Sequence, residues 1–321
     1  MTCYDLFNGD ADGICALQQL RLQSPRESVL VTGLKRDIDL LNRIEVDAGD
    51  EVTVLDISLD KNREALKLAL DRGASVFYAD HHYPGEVPRN DNLTALIDVT
   101  ADTCTSLIVN QFLANAQAKW AVVGAYGDNL DKSAEKLGRS IGLHENELSL
   151  LQQLGICLNY NGYGFELTDL MYHPEELYRA LHSFTDPIEF ATFDPKYRRL
   201  LEQYESDMEM SRSSIADSKN QYGAVYHLPD EAWAKRIVGV MGNDLAKQYP
   251  DRAHALLVDM GGTGFRVSVR APYNRKQGAD DLCRQFESGG GRKAAAGINC
   301  LDCELLDDFV QCFYKAYDQN I

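Results

Sequence analysis

The sequence predicts an α/β protein with a parallel-sheet N-terminal domain, a helical connector and a smaller α/β C-terminal domain. Three observations predict it. Through the first 130 residues short β-type runs alternate with amphipathic stretches, the rhythm that builds a parallel sheet with helices on its faces. From residue 144 to about residue 219 the pattern turns mostly helical. Beyond it, β-type runs and a glycine-rich turn precede one closing helical stretch.

The elements follow in order. Residues 4–7 read as a first strand, followed by a helix from about Gly13. Residues 28–32 form a second strand, and a helix starts at Asp37. Residues 51–56 form a third strand, a helix then runs to Leu70, and residues 74–78 form a fourth strand. Residues 195–219 read as a charged connecting helix with Leu200, Leu201 and Tyr204 on one side. Residues 253–258 and 264–269 are strands, 289–291 a glycine turn, and 305–317 the last helix. The expected boundaries are a catalytic domain over 1–190, a linker over 191–222 and a C-terminal domain over 223–321.

The 321 residues are 45% hydrophobic and 25% charged, which supplies one or two ordinary cores and excludes a disordered or fibrous protein. A net charge of −17 argues against a broad grip on duplex DNA or an anionic membrane. Any anionic ligand must be met locally, by a metal or a small basic pocket. No window approaches the roughly 18 apolar residues of a membrane span, and residues 1–8 lack a basic region followed by an apolar one, so the expected compartment is the cytoplasm. The eight cysteines are scattered, unlike a disulfide scaffold. Cys300 and Cys303 form a C-x-x-C pair, but no second pair or nearby histidine completes a zinc set.

The densest chemical signal is Asn8-Gly9-Asp10-Ala11-Asp12-Gly13, an acidic turn between a strand and a helix. It nearly matches the start of a calcium loop, yet Gln19 stands where a bidentate glutamate is needed. A plain helix cap is the other reading, but three polar groups in five residues exceed what a cap requires. Asp56 and the triplet Asp80-His81-His82 end two further strands, where ligands of parallel sheets gather. Asp128, after the apolar stretch 120–124, adds a further acid. Carboxylates with one or two imidazoles suit Mn²⁺ or Mg²⁺ better than soft-ligand zinc chemistry.

These motifs resemble the DHH phosphoesterase family, named after the triplet standing here at Asp80-His81-His82. The resemblance covers most of the chain, because Gly289-Gly290-Gly291-Arg292 and the residues to Gly297 look like the family's glycine-rich substrate motif. It implies two divalent ions, usually manganese, bridged by Asp56. One would be held by Asp10 with Asn8 nearby, the other by Asp12, His81 and Asp128. His82 would face the scissile phosphate as a general acid, and Asp80 would orient an imidazole. Two departures stand out: Asn8 replaces the histidine of many members, and Arg292 replaces the histidine of the glycine-rich motif. A guanidinium fork matches phosphate better than imidazole does, so the second departure bears on the substrate.

The C-terminal segment supplies local cations, of which Arg292 and Arg270 are the expected phosphate grip, with Ser268 on the same strand face and Gly289, Gly290 and Gly291 allowing close approach. Lys35 and Arg36 are weaker candidates for that job. Residues 159–165 could offer aromatic faces to a base or simply pack as a turn. The resulting expectation is a manganese-dependent phosphodiesterase acting on short single-stranded oligonucleotides, including dinucleotides. Its rivals are a nucleoside bisphosphate phosphatase, a cyclic-dinucleotide phosphodiesterase, and a nucleotide-binding protein with a weakened centre. The expected partners exclude duplex DNA and membranes, and a homodimer is compatible with the sequence.

Overall fold

A computed structural model describes residues 1–318. Strand β1 (Cys3–Phe7) enters helix α1 (Ala11–Gln23), and β2 (Val29–Val31), β3 (Glu51–Leu55), α2 (Arg63–Asp71), β4 (Ser75–Asp80) and β5 (Leu93–Ile97) follow. Among the described residues the strands form one parallel sheet in the order β2-β1-β3-β4-β5. The chain leaves β1 for one neighbour, β2, and returns past it to the other, β3. That reversal is a switch point, where the carboxyl ends of an open parallel sheet leave a crevice.

Side-chain alternation sends Leu6, Val52, Val54, Val76 and Tyr78 to one face, where they pack with Leu40, Leu41, Leu66 and Leu70. Each such burial contributes about 1.5–3 kcal/mol. The other face presents Phe77, whose ring lies 5.2 Å from Phe112 of α3 (Thr105–Phe112). It also carries Asp5, fully buried and paired with Arg21 of α1, whose Nε donates at 2.7 Å. Helix α4 (Ala118–Gly127) is buried at every position but Lys119, and α1 is buried from Ala11 to Arg21, so both sit inside the helical layer. Helices α5 (Asp131–Ser140), α6 (Glu145–Asn161), α7 (Pro174–His182) and α8 (Pro187–Phe193) complete that layer.

Helix α9 (Pro195–Ser213) follows, and the chain divides within it into two compact units, Met1–Glu202 and a second beginning at Gln203. Tyr197, Leu200 and Met208 are its buried apolar residues, while Leu201 and Tyr204 are half-buried. The second unit contains β6 (Ser218–Lys219), β7 (Gly223–Leu228), α10 (Ala232–Gln248), β8 (Ala253–Asp259), β9 (Phe265–Arg270), α11 (Ala279–Cys283), β10 (Gly289–Arg292), β11 (Ala295–Leu301) and α12 (Leu306–Tyr317). Its sheet runs β10-β11-β9-β8-β7-β6, parallel between β7 and β8 and antiparallel elsewhere. One face packs Val225, Leu257, Val267, Val269 and Ile298 against Phe309, Phe313 and Tyr317 of α12.

Two expected elements differ. The helix from Asp37 is a single 3₁₀ turn, Leu40–Arg43. Asn62 accepts from the Leu41 N–H at 3.1 Å and donates to the Ile38 carbonyl at 2.6 Å, taking backbone groups that a longer helix would pair internally. The glycine turn at 289–291 is strand β10, with Gly290 opposite Gly297. Gly291 lies at φ +139°, and a β-carbon there would stand 2.5 Å from Ala296 Cα, so the glycine marks close approach of two strands rather than a reversal. Strand β5 and helix α10 carried no clear sequence signal. Among the described residues no helix is long and apolar enough to cross a membrane, and the eight cysteines are free thiols.

Candidate metal centre

The strand register brings the acidic motifs level. Phe7 pairs with Leu55 and Leu55 with Ala79, so Asn8, Asp56 and Asp80 follow one another across the carboxyl edge. The Asn8 N–H donates to the Leu55 carbonyl at 3.1 Å, and the Asp56 N–H to the Ala79 carbonyl at 3.0 Å. The turn after β1 is tight enough to require glycine at position 13, where a β-carbon would stand 2.3 Å from the Asn8 carbonyl oxygen. Asp10 caps α1, accepting from the N–H groups of Asp12 and Gly13 at 3.0 and 3.1 Å.

Asp56 sits at φ +59°, in the left-handed region that a non-glycine residue enters only when its surroundings hold it there. Its Oδ1 accepts from Thr105 Oγ1 at 3.1 Å and lies 3.4 Å from His81 Nε2. His81 Nε2 is 3.7 Å from Asp128 Oδ2, and Asp128 terminates α4 where Asn129 turns left-handed. Asp56, His81 and His82 offer ligand atoms within 4.8 Å of one another. His82 Nδ1, however, is 2.8 Å from Oδ1 of Asp80, which is fully buried. A carboxylate accepts, so that contact engages the Nδ1 hydrogen and leaves Nε2 as the nitrogen not held by Asp80. With its side chain 35% exposed, His82 is the most exposed of these three residues. Asp80 Oδ2 is buried and has no hydrogen-bond partner among the described residues.

The acids share a strongly negative site. Burial pushes the Asp56 carboxyl well above the usual carboxylate range, and Asp10 and Asp12 push it further, against the pull of His81. Burial also raises Asp128, where Lys35 and His81 oppose the repulsion of Asp12 and Asp10. Burial works against a charged His81, but the carboxylates of Asp56, Asp12 and Asp128 overcome it and push its imidazole up to about 10. The ring thus sits where a positive charge is wanted, and hard carboxylate oxygens beside an imidazole fit Mn²⁺ or Mg²⁺.

Asp12 and the Asn8–Asp10 side are more heavily engaged. Both Asp12 oxygens accept backbone N–H groups at the start of α3, from Thr105 and Ser106, at 2.7 Å each. The cap that the acidic turn suggested thus forms on two helices at once. Lys35 Nζ donates to Asp10 Oδ2 at 2.5 Å and to Asn159 Oδ1 at 2.8 Å, and burial of Asp10 is outweighed by this ammonium, which holds its carboxyl low. Tyr163 and Phe165 lie under Lys35 and Arg36 at 5.8 and 5.4 Å, so the aromatic run of 159–165 meets cations of its own chain. Thr105, Ser106 and Asn159 were missed as site residues; the Thr-Ser pair opening a helix was the available signal for the first two.

The expected phosphate grip lies in the second unit. Ser268 and Arg270 share a face of β9, and the register sets Gly297 beside Ser268 and Ala295 beside Arg270. Arg270 Nε donates to Asn243 Oδ1 at 2.8 Å, and its Nη1 donates to Ser268 Oγ at 2.9 Å. Arg292 ends β10, opposite Ala295, and is exposed, its side chain making no hydrogen bond or ion pair among the described residues. Gly289, Gly290 and Gly291 lead to it along the same strand. Cys300 and Cys303 are exposed, and no metal-binding group includes them among the described residues.

No protein-family model matches the chain, and no curated protein does. Solved structures do. Exonuclease RecJ bound to manganese matches with a TM-score of 0.65 at 16% identity, over 97% of this chain and 88% of that one. RecJ in complex with Mn²⁺ from Thermus thermophilus matches with 0.66 at 17%, over 98% of this chain and 52% of that one, so this chain spans about half its length. A pGpG-specific phosphodiesterase from Vibrio cholerae matches with 0.57 at 13%, over 98% of both chains. With DHH at positions 80–82 on the carboxyl edge of the parallel sheet, the likeness is one of architecture: the chain has the fold of the DHH phosphoesterases.

Proposed function

We propose that this protein is a cytoplasmic, metal-dependent phosphodiesterase that hydrolyses short single-stranded oligonucleotides, dinucleotides included, to nucleoside monophosphates. The observation that carries the reading is the buried Asp80 on His82 Nδ1 at 2.8 Å, beside the cluster of Asp56, His81 and Asp128. Asp56, His81 and Asp128 would hold a divalent ion, Mn²⁺ by preference, with Asp12 behind them. Such an ion supplies Lewis acidity and lowers the pKa of a water. His82, held by Asp80, would deliver a proton to the leaving oxygen as general acid. Arg292, with Arg270, Ser268 and Gly289–Gly291 of the same sheet, would bind substrate phosphate through its exposed guanidinium.

A short substrate is supported by the net charge of −17, since long single strands are usually tracked by an extended basic groove. The full-length match to a pGpG-specific enzyme points the same way, because pGpG is a linear dinucleotide. The test compares hydrolysis of a 5′-labelled dinucleotide, pGpG and a long single-stranded oligonucleotide with Mn²⁺ and with EDTA, using Asp128→Ala as the blank. Faster release of mononucleotide from the dinucleotides, abolished by EDTA and in the blank, is expected. Preference for the long strand makes the enzyme RecJ-like in substrate. Release of inorganic phosphate from a nucleoside bisphosphate, or opening of a cyclic dinucleotide, moves the substrate to those classes. Tight nucleotide binding without turnover at millimolar Mn²⁺ leaves a binding protein and removes the proposal.

A further inference from the structure

Lys35 is fixed at both ends of its peptide unit and at its tip. Its N–H donates to the Gly162 carbonyl at 3.0 Å, and its carbonyl accepts from Asn8 Nδ2 at 3.1 Å. The stem enters the acidic cluster from a set direction, 27% exposed, and its ammonium contacts Asp10 and Asn159 and stands 3.7 Å from Asp128 Oδ1. An ammonium has three donors, and this one has three oxygens around it. Asn8, for its part, spends its amide nitrogen on Lys35 and receives the Asp10 N–H on its Oδ1 at 3.3 Å.

We infer that Lys35 is the permanent cation of the Asn8–Asp10 half of the centre, so that the protein takes a single divalent ion, at Asp56, His81 and Asp128, in place of a pair. This rests on the metal-dependent reading above. The ligands that a second ion would need are the same atoms that Lys35 and its own backbone already use. A dication on Asp10 would also face the ammonium on that carboxylate, and like charges at such separation repel strongly in a buried site. The neutral Asn159 oxygen fits the same account, since it satisfies an ammonium donor without adding a charge that would attract another ion. The two cations then differ in kind: one exchanges with solvent and is removed by chelators, the other is covalently part of the chain.

The test counts ions without using turnover. Chelator-treated protein is titrated with Mn²⁺ by calorimetry, and the loaded protein is examined by electron paramagnetic resonance. The wild type is expected to bind one Mn²⁺ per chain with the hyperfine pattern of an isolated ion. Lys35→Met, which keeps the stem and removes the charge, is expected to bind two and to show an exchange-coupled spectrum, with circular dichroism checking that the variant is folded. Two coupled ions in the wild type overturn the inference and leave the metal-dependent reading standing. One ion in both proteins overturns the part given to Lys35. No binding by the wild type overturns both. The wild-type count decides even where Lys35→Met does not fold.

Discussion

The two units hold charge in opposite ways. In the first, Asp10, Asp12, Asp56 and Asp128 are drawn from three places in the chain and nearly every oxygen is tied to a backbone N–H, a hydroxyl, an imidazole or the Lys35 ammonium. In the second, Arg270 is braced by Asn243 and Ser268, but Arg292 stands exposed at the end of β10. On the proposed reading, the difference separates two tasks. Positioning a metal and a proton donor needs geometry held to fractions of an ångström, whereas gripping a phosphate needs a charge that can reach.

Breaking the rigid side gives the largest effect. Asp56→Asn keeps the shape and removes the charge around which His81 and Thr105 are arranged, and metal-dependent turnover is expected to fall at least ~1,000-fold in steady-state assays. His82→Ala is expected to lose about 100- to 10,000-fold in kcat with Mn²⁺ affinity retained, which separates a proton donor from a ligand. An equal loss of Mn²⁺ affinity would place His82 among the ligands instead.

The same rigidity has a cost in stability if one partner is deleted. Arg21→Met strips the buried Asp5 of its counter-charge and is expected to lower the unfolding free energy by about 3–5 kcal/mol in urea denaturation. A loss under about 1 kcal/mol would mean that water or a rearranged side chain replaces Arg21.

The second unit has its own buried titratable group. His254 on β8 is fully buried, neither ring nitrogen has a hydrogen-bond partner among the described residues, and burial, with Arg252 adding to it, depresses the imidazole to about 4. The folded state thus keeps His254 neutral where the unfolded state, at its ordinary 6.5, binds a proton. Stability from this group is intact above pH 6.5 and drains away as pH falls toward 4, by roughly 3 kcal/mol. Denaturation at pH 7 and pH 4.5 should show the loss, and His254→Phe should remove that part of the pH dependence. The smallest effect is expected at the exposed end: Arg292→Ala should raise KM about tenfold and leave kcat and fold stability nearly unchanged.

The same contrast explains what could be read in advance. The strand ends and the triplet were legible because they depend on local periodicity and on neighbours in sequence: β1, β3 and β4 each end in the residues that matter. What was hidden depends on distance along the chain. Asp12 meets Thr105 and Ser106 93 and 94 residues away, and Lys35 meets Asn159 across 124. No period in the sequence marks such pairs, so Lys35 read as a spare phosphate contact and Asp12 as a plain ligand. In the second unit, glycines at 289–291 read as a turn because their common use is reversal, while here they let β10 lie close against β11.

The most direct measurement is anomalous diffraction at the manganese edge from crystals grown or soaked with Mn²⁺. The account predicts a peak bounded by Asp56, His81 and Asp128, with the Lys35 ammonium still on Asp10. A peak seated on Asp10 and Asn8, or none at millimolar Mn²⁺, would contradict it.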